Sequence, residues 1–305
     1  MSFDDFRTVL RQYDELVAEL KKSSGDKIIA NLHITGGEPF LHSEIGRILR
    51  YLSWRSHKYK LAFMTNGTLL SPALIRKLKR LGIKPLQLSL DGGRRTHDSI
   101  RSQGNFDKVI GALDMLYKHG MSSRVSFTAH KDNFRELVDV AQICREHHVS
   151  SLWSDRFVPC SRKNVVTALD ADDMREYVEM LRALSSDPLN DECKMHIQNF
   201  RSLQFLGSDD KPYYCRAGED FLAVDELGNI LPCRRLPIVC GNIHSDGLKN
   251  VFMNSAILDD LRRHKFTGKC VNCEHSKECM GGARCMSYAV LGDYNAPDPC
   301  CFIEG

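Results

Sequence analysis

No cysteine occurs before Cys144 in this chain of 305 residues. Other common signals are missing too. The 42 basic and 39 acidic side chains nearly cancel, leaving a net charge of +3. Basic clusters such as Arg94-Arg95 and Arg234-Arg235 are too short to build the stripe that a nucleic-acid surface needs. No apolar run approaches the ~18 residues of a membrane span. The start, Met1-Ser2-Phe3-Asp4-Asp5, has neither the basic head nor the apolar stretch of a signal peptide. Repeats and low-complexity tracts are absent. These gaps argue against a nucleic-acid partner and a membrane partner, and make the cytoplasm the expected location.

The cysteines that do occur are crowded. Of 12, nine fall between Cys215 and Cys301. In a reducing compartment such crowding points to metal rather than to disulfides. Buried free thiols account well for Cys144 and Cys193, since cysteine packs readily in cores. They account poorly for nine cysteines set among polar neighbours.

Up to about residue 185 the chain alternates helix and strand. Phe6, Leu10, Tyr13 and Val17 recur at helical spacing, so a helix is expected over Phe3–Lys22, capped by Ser2 and stopped by Gly25. Strands are expected near 28–34, 60–65, 86–90, 124–128 and 151–157, with helices between them and a last one near 171–184. That alternation predicts an α/β fold with a parallel sheet and helical crossovers, whose active face lies at the C-terminal strand ends. Five strands behind an opening helix suggest that a first βα loop is missing. The expected organisation is a barrel-like unit at 1–185, a linker at 186–212 with at most one helix and the polar stretch Ser208-Asp209-Asp210, and a cysteine-rich unit of turns and short strands at 213–305.

At the first strand end stands Thr35-Gly36-Gly37-Glu38-Pro39. Two glycines let a backbone approach a ligand, and the carboxylate suits an amine. These residues resemble the Gly-Gly-Glu-Pro motif of the radical S-adenosylmethionine (radical SAM) superfamily. The likeness runs on through Thr65-Asn66-Gly67, Ser89-Leu90-Asp91-Gly92 and His97-Asp98-Ser99-Ile100-Arg101. It implies a partial (β/α)6 TIM-like barrel lacking its first strand. It also implies that Gly36, Gly37, Glu38, Pro39 and Asn66 frame S-adenosyl-L-methionine. Ser89, and Arg101 twelve residues later, would meet the cofactor's carboxylate, an Arg–carboxylate fork being the expected physics. Ser126 and Thr128 would face the ribose, and Arg156 would line the site.

The late cysteines carry a second pattern. Cys215 and Cys233 flank Gly228, and Cys270-Val271-Asn272-Cys273, Cys279, Gly281-Gly282-Ala283-Arg284-Cys285 and Asp298-Pro299-Cys300-Cys301 follow. On spacing alone zinc and iron–sulfur are both open. Order and gaps resemble the SPASM domain, which holds up to two auxiliary [4Fe–4S] clusters. The resemblance implies that Cys270, Cys273, Cys279 and Cys301 hold an outer cluster, with Cys301 rather than Cys300 fitting the Asp-Pro-x-Cys ending. Cys215 and Cys233 would hold an inner one. Its last ligand is open: Ala283 stands where the family has cysteine, Cys285 is two residues late, and Cys240 is a spare. If neither of these two serves, an open iron site is left for substrate.

Two departures from the pattern matter. The superfamily's Cys-x3-Cys-x2-Cys is absent, so the chain by itself is expected not to cleave the cofactor, and truncation is the expected reason. Arg234 follows Cys233, where sulfatase-maturing relatives carry an acidic base, which argues against formylglycine formation. The parent activity implied is cleavage of S-adenosylmethionine to a 5′-deoxyadenosyl radical and hydrogen abstraction in the maturation of a ribosomal precursor peptide, with a flavodoxin or ferredoxin as electron donor. Tetrapyrrole (haem) modification is a rival reading, and so is a non-catalytic iron–sulfur or zinc-binding module.

Overall fold

The computed structural model describes residues 1–24, 28–159, 167–198, 201–207 and 213–304. Helix α1 (Phe3–Ser24) opens the chain. Ser2 Oγ accepts from the Asp5 amide at 3.1 Å, and the Asp5 carboxylate accepts from the Ser2 amide at 2.8 Å, a reciprocal cap. The expected stop at Gly25 lies outside the described residues. The helix serves two cores: Phe6 and Leu10 join the large one, and Leu16 joins the smaller C-terminal one.

The elements β1 (Asn31–Ile34), α2 (Ile45–Arg55), β2 (Lys60–Thr65), α3 (Pro72–Arg80) and β3 (Leu86–Ser89) come next. They lead to α4 (Arg94–Arg101), α5 (Asn105–Lys118), β4 (Ser123–Ala129), α6 (Leu137–Glu146) and β5 (Ser151–Arg156). Then come α7 (Ala171–Ser185), α8 (Leu189–Glu192) and β6 (His196–Gln198). The strands lie in the order β1-β2-β3-β4-β5-β6, and each adjacent pair is parallel. Sequential parallel strands with helical crossovers make an open, partial barrel.

Side chains alternate across this sheet. Phe63, Leu86, Leu88, Val125, Phe127 and Leu152 face the helices and are buried. The opposite, concave face is polar. The register sets Gln87 beside Arg124 and Arg124 beside Ser151; one step on, Ser89 lies beside Ser126 and Ser126 beside Trp153. Thr128 then pairs with Asp155.

The stretch expected to be linker supplies α8 and β6, so the sheet has six strands rather than five. Strand β6 is three residues long and two of them are polar, so it carries no apolar run; pairing with β5 defines it. The polar Ser208-Asp209-Asp210 stretch lies outside the described residues. Helix α4 is likewise hidden in a polar sequence, Arg94-Arg95-Thr96-His97-Asp98-Ser99.

Beyond residue 213, β7 (Ala223–Val224), β8 (Asn229–Leu231) and β9 (Gly241–Asn242) form a small antiparallel sheet. Asp225 folds the first turn, its carboxylate accepting from the Leu227 and Asn229 amides at 2.9 Å. Gly228, at φ +81°, completes that turn; a Cβ there would stand 2.9 Å from Ile243 Cγ1. Helices α9 (Leu248–Asn254), α10 (Ala256–Arg262), α11 (Ser276–Cys279) and α12 (Arg284–Leu291) follow. Helix α1 clasps this unit: Gln12 donates to the Ile243 carbonyl and accepts from the Leu248 amide, both at 2.8 Å.

Candidate functional site

The loop after β1 is built around Glu38. Its carboxylate accepts from Thr65 Oγ1 at 2.8 Å, from the Asn66 amide at 2.8 Å and from the Phe40 amide at 3.1 Å. The side chain thus ties the ends of β1 and β2 together and caps the turn that begins at Pro39. Gly36 has φ +142°, and no atom lies within 4 Å of where a Cβ would project from Gly36 or Gly37. The glycine backbone therefore borders open space that a ligand can enter. Asn66 closes its own loop, its Oδ1 accepting from the Thr68 amide at 3.0 Å.

Ser89 and Ser126 are register neighbours on the concave face. Arg101, at the end of α4, donates to Asp91 at 2.7 Å. Asp91 is buried and also accepts from the Thr128 amide at 3.0 Å. Glu136 braces the turn beneath, accepting from the Gly93 amide at 2.8 Å. A Cβ on Gly92 would stand 2.5 Å from that carboxylate, at φ +141°, so the turn needs glycine. Glu38, Asn66 and Ser89 thus stand at the C-terminal ends of β1 to β3, with Ser126 midway along β4 beside Ser89 and Arg101 tied to Asp91 just beyond β3.

Arg156 is placed elsewhere. The expectation that it lines this site is corrected by strand parity, which turns it to the helix side of β5. There both terminal nitrogens donate to Asp298, at 2.9 and 2.5 Å, and both side chains are buried. Its neighbour Asp155 occupies the concave face instead, pairing with Arg235 and, at 3.2 Å, with Arg201. Burial pushes the Asp155 carboxyl up, but Arg235, Arg201 and Arg156 outweigh it and hold it below the ordinary carboxylate value.

Asp155, Trp153, Arg124, Arg201 and Arg235 were not foreseen as site residues. A signal for the first three existed in the residue parity of β4 and β5. None exists for Arg201 and Arg235, which arrive from outside the sheet.

Cys270, Cys273, Cys279 and Cys301 line one cavity, which Leu203, Phe205 and Leu206 close from the barrel side and Asp298 borders. Burial, then the Cys301 and Cys273 sulfurs, raise the Cys270 thiol above its ordinary value. Burial and Asp298 push Cys279 up to about 12. Cys300 points the other way, its Sγ donating to the Leu169 carbonyl at 3.1 Å in the barrel core.

A second group gathers Cys215, Cys233 and Cys285. Burial first, with the neighbouring sulfurs adding to it, raises Cys215 and Cys285. Cys240 stands apart, its Sγ donating to the Ile238 carbonyl at 3.7 Å.

Thiols raised in this way stay protonated until a cation takes the proton's place, which is how a thiolate metal centre forms. Among the described residues no three His, Cys, Asp or Glu side chains close on a single-ion position. The outer four sulfurs line a shared cavity instead. Four cysteines lining one cavity, as Cys270, Cys273, Cys279 and Cys301 do, are the donor set an iron–sulfur cluster takes.

Residues 3–147 match the radical SAM superfamily, and residues 215–274 match the SPASM family, an iron–sulfur cluster-binding domain. The AdoMet-dependent heme synthase of Methanosarcina barkeri is 28% identical over 287 residues, covering 88% of this chain and 81% of that protein. Mycofactocin maturase MftC of Mycolicibacterium smegmatis is 26% identical over 304 residues, covering 97% of this chain and 75% of that one. Streptococcus suis SuiB bound to S-adenosylmethionine superposes with a TM-score of 0.74 at 18% identity, over 98% of this chain and 70% of SuiB, which shows the shared fold. No helix among the described residues is long and apolar enough to cross a membrane. The cofactors of the matched domains are S-adenosylmethionine and [4Fe–4S] clusters. The chain thus carries a radical SAM domain over residues 3–147 and a SPASM iron–sulfur cluster-binding domain over residues 215–274, the pair of domains of a SPASM-bearing radical SAM enzyme.

Proposed function

We propose that the chain binds S-adenosylmethionine at the strand ends and presents a substrate to it across the concave face. Glu38 takes the amino group, Gly36, Gly37 and Pro39 give the ligand backbone access, and Asn66 shapes the loop. Ser89 and Arg101 take the carboxylate, and Ser126 lies toward the ribose. Cys270, Cys273, Cys279 and Cys301 hold the outer cluster, and Cys215, Cys233 and Cys285 hold the inner one. Bound beside a cluster whose cysteines this sequence does not include, the cofactor would supply a hydrogen-abstracting radical. The protein's part is to orient groups and exclude water.

The observation that carries this reading is the Asp155–Arg235 ion pair. It ties the concave face of β5 to the turn two residues beyond Cys233, so the inner cysteines border the face on which the substrate would lie. A ribosomal precursor peptide is the proposed substrate. Relatives named as maturases support it, as does SuiB, whose fold is shared and which has been seen bound to its precursor peptide SuiA. A flavodoxin or ferredoxin in the cytoplasm is the proposed electron source. Tetrapyrrole modification is the second reading, favoured by the arginines that follow Cys233 and by the heme synthase relative.

The test begins upstream of Met1 in the gene. The chain expressed with that sequence is reconstituted anaerobically and assayed for 5′-deoxyadenosine with reductant. Product formation upholds the assignment; a chain that binds several irons yet releases none under any substrate overturns it.

A further inference from the structure

Asp91 is engaged at every polar atom it has. Its amide donates to His97 Nδ1 at 3.1 Å, and its carbonyl accepts from Asn133 Nδ2 at 2.9 Å. Its Oδ1 accepts from the Thr128 amide at 3.0 Å. Its Oδ2 accepts from Arg101 Nε at 2.7 Å, and Arg101 Nη2 stands 2.7 Å from the same oxygen. Arg101 Nη1 has no partner among the described residues.

The chain places this knot beside the proposed cofactor site. The Leu90 amide donates to the Ser126 carbonyl at 3.1 Å, one step past the Ser89–Ser126 pair. The Asp91 carboxylate then takes the Thr128 amide, so it lengthens the seam between β3 and β4 beyond those serines. His97 and Arg101 lie four residues apart on α4, hence on one face, and both reach Asp91. His97 is fully buried, and its Nε2 meets Asn105 Oδ1 at 2.8 Å, which fixes the helix against the turn.

The Arg101 side chain is 37% exposed and that of Asp91 2%. An ion pair with one half-exposed member contributes little to stability. Its larger effect is directional. Arginine carries five donors in a rigid fork, and Asp91 occupies one side of it. The Nη1 end is left over, held in place for a second carboxylate. A side chain fixed before binding loses little freedom when the ligand arrives. We propose that Asp91 is a positioning residue for S-adenosylmethionine, gripping one side of the Arg101 fork so that the other side receives the cofactor's carboxylate. The proposal rests on the reading that Ser89 and Arg101 bind that carboxylate, and it adds the group that aims the arginine.

The test compares two ligands by equilibrium dialysis against the anaerobically reconstituted full chain. They are S-adenosylmethionine and its decarboxylated form, which lacks the group in question. The parent chain should bind the first at least about tenfold more tightly, as loss of charge-assisted hydrogen bonds requires. Asp91→Asn keeps the size but sets an N–H against one of two donors, Arg101 or the Thr128 amide. It should bring the preference down to about threefold or less, while affinity for the decarboxylated ligand stays within about twofold. A merely structural role would weaken both ligands alike and leave their ratio unchanged. An Asp91→Asn chain that keeps the parent's ratio therefore overturns the proposal and leaves the carboxylate reading standing. A parent chain with no preference removes that reading, and the proposal with it. Arg101→Lys, at a half-exposed position, serves if Asp91→Asn does not fold. One ammonium lacks the fork that holds two carboxylates at once, so the preference should fall likewise. Full preference in Arg101→Lys overturns the shared fork.

Discussion

Arg156 on β5 and Asp298 in the C-terminal tail form a buried, two-point ion pair between residues 142 positions apart. Asp298 does more than neutralise the arginine. It accepts from the Ala283 amide at 2.8 Å and from the Cys300 amide at 3.0 Å, so one carboxylate holds both strands of the cavity that Cys279 and Cys301 line. A Cβ on Gly282 would stand 2.4 Å from Asp298 Cβ, at φ +81°, which explains a glycine there. Arg156 thus joins the barrel to the carboxylate that organises the outer cysteine loops, beside the contact of Cys300 with the Leu169 carbonyl.

Removing one partner of this pair strands a buried charge. Asp298→Ala should cost about 3–5 kcal/mol of stability, the penalty typical of a broken buried pair. It should also release the Gly282–Ala283 turn and lower iron retention at the outer site. Arg156→Met should destabilise while leaving the Asp298 hydrogen bonds to Ala283 and Cys300 in place, so more iron should survive. Thermal melts and iron counts on the reconstituted singles and the double variant check this, with the coupling read from the cycle.

The cysteines divide by position, and substitution should reveal the division. Cys279→Ser and Cys301→Ser should each lower iron per chain and remove one set of cluster signals in reduced-state electron paramagnetic resonance. Cys285→Ser should remove a different set. Cys300→Ser and Cys240→Ser should leave iron content as it is, because Cys300 bonds into the barrel core and Cys240 lies apart from the other sulfurs. Equal iron loss from Cys240→Ser and Cys285→Ser would refute the proposed inner ligand set.

What the sequence made legible followed from period and from short-range motifs. The alternation of apolar residues in Leu61, Phe63, Leu86 and Leu88 exposes their strands, and Gly36-Gly37-Glu38-Pro39 marks a ligand loop because its chemistry lies within four consecutive residues. Strand β6 left no trace, since a polar three-residue strand exists through its neighbour. Arg156 misled because an arginine ending a strand looks the same whether it faces cofactor or helix; one residue of register decides. Arg201 and Arg235 were hidden for another reason. Their meaning lies in a meeting with Asp155 across 46 and 80 residues of chain, which no local pattern encodes.

Glu38 joins two tasks, and its variants should separate them. Glu38→Gln keeps the shape and one carbonyl acceptor for Thr65, Asn66 or Phe40, but loses the charge offered to an amine. S-adenosylmethionine affinity, measured by equilibrium dialysis, should fall roughly tenfold, while the melting temperature moves little. Glu38→Ala should lower both, because the Asn66 and Phe40 amides lose their acceptor. An affinity that Glu38→Gln leaves unchanged would exclude the carboxylate from ligand binding.

The Asp155 pair predicts a pH signature. Its folded carboxyl lies below the ordinary value of 3.8, held there by Arg235, Arg201 and Arg156 against burial. In the unfolded chain those arginines are gone, so the unfolded state binds the proton more readily. Stability from this carboxylate is then fully present above the unfolded value and is lost as pH falls through the lower folded one. Asp155→Asn removes that contribution at every pH. The stability gap between the parent chain and Asp155→Asn, measured by denaturant titration of the metal-free protein, should be constant from about pH 7 to pH 5. It should close below the ordinary carboxylate range. A gap that widened on acidification would mean that the arginines do not stabilise the charged form, and the tie between β5 and the Cys233 turn would have to be sought in other contacts.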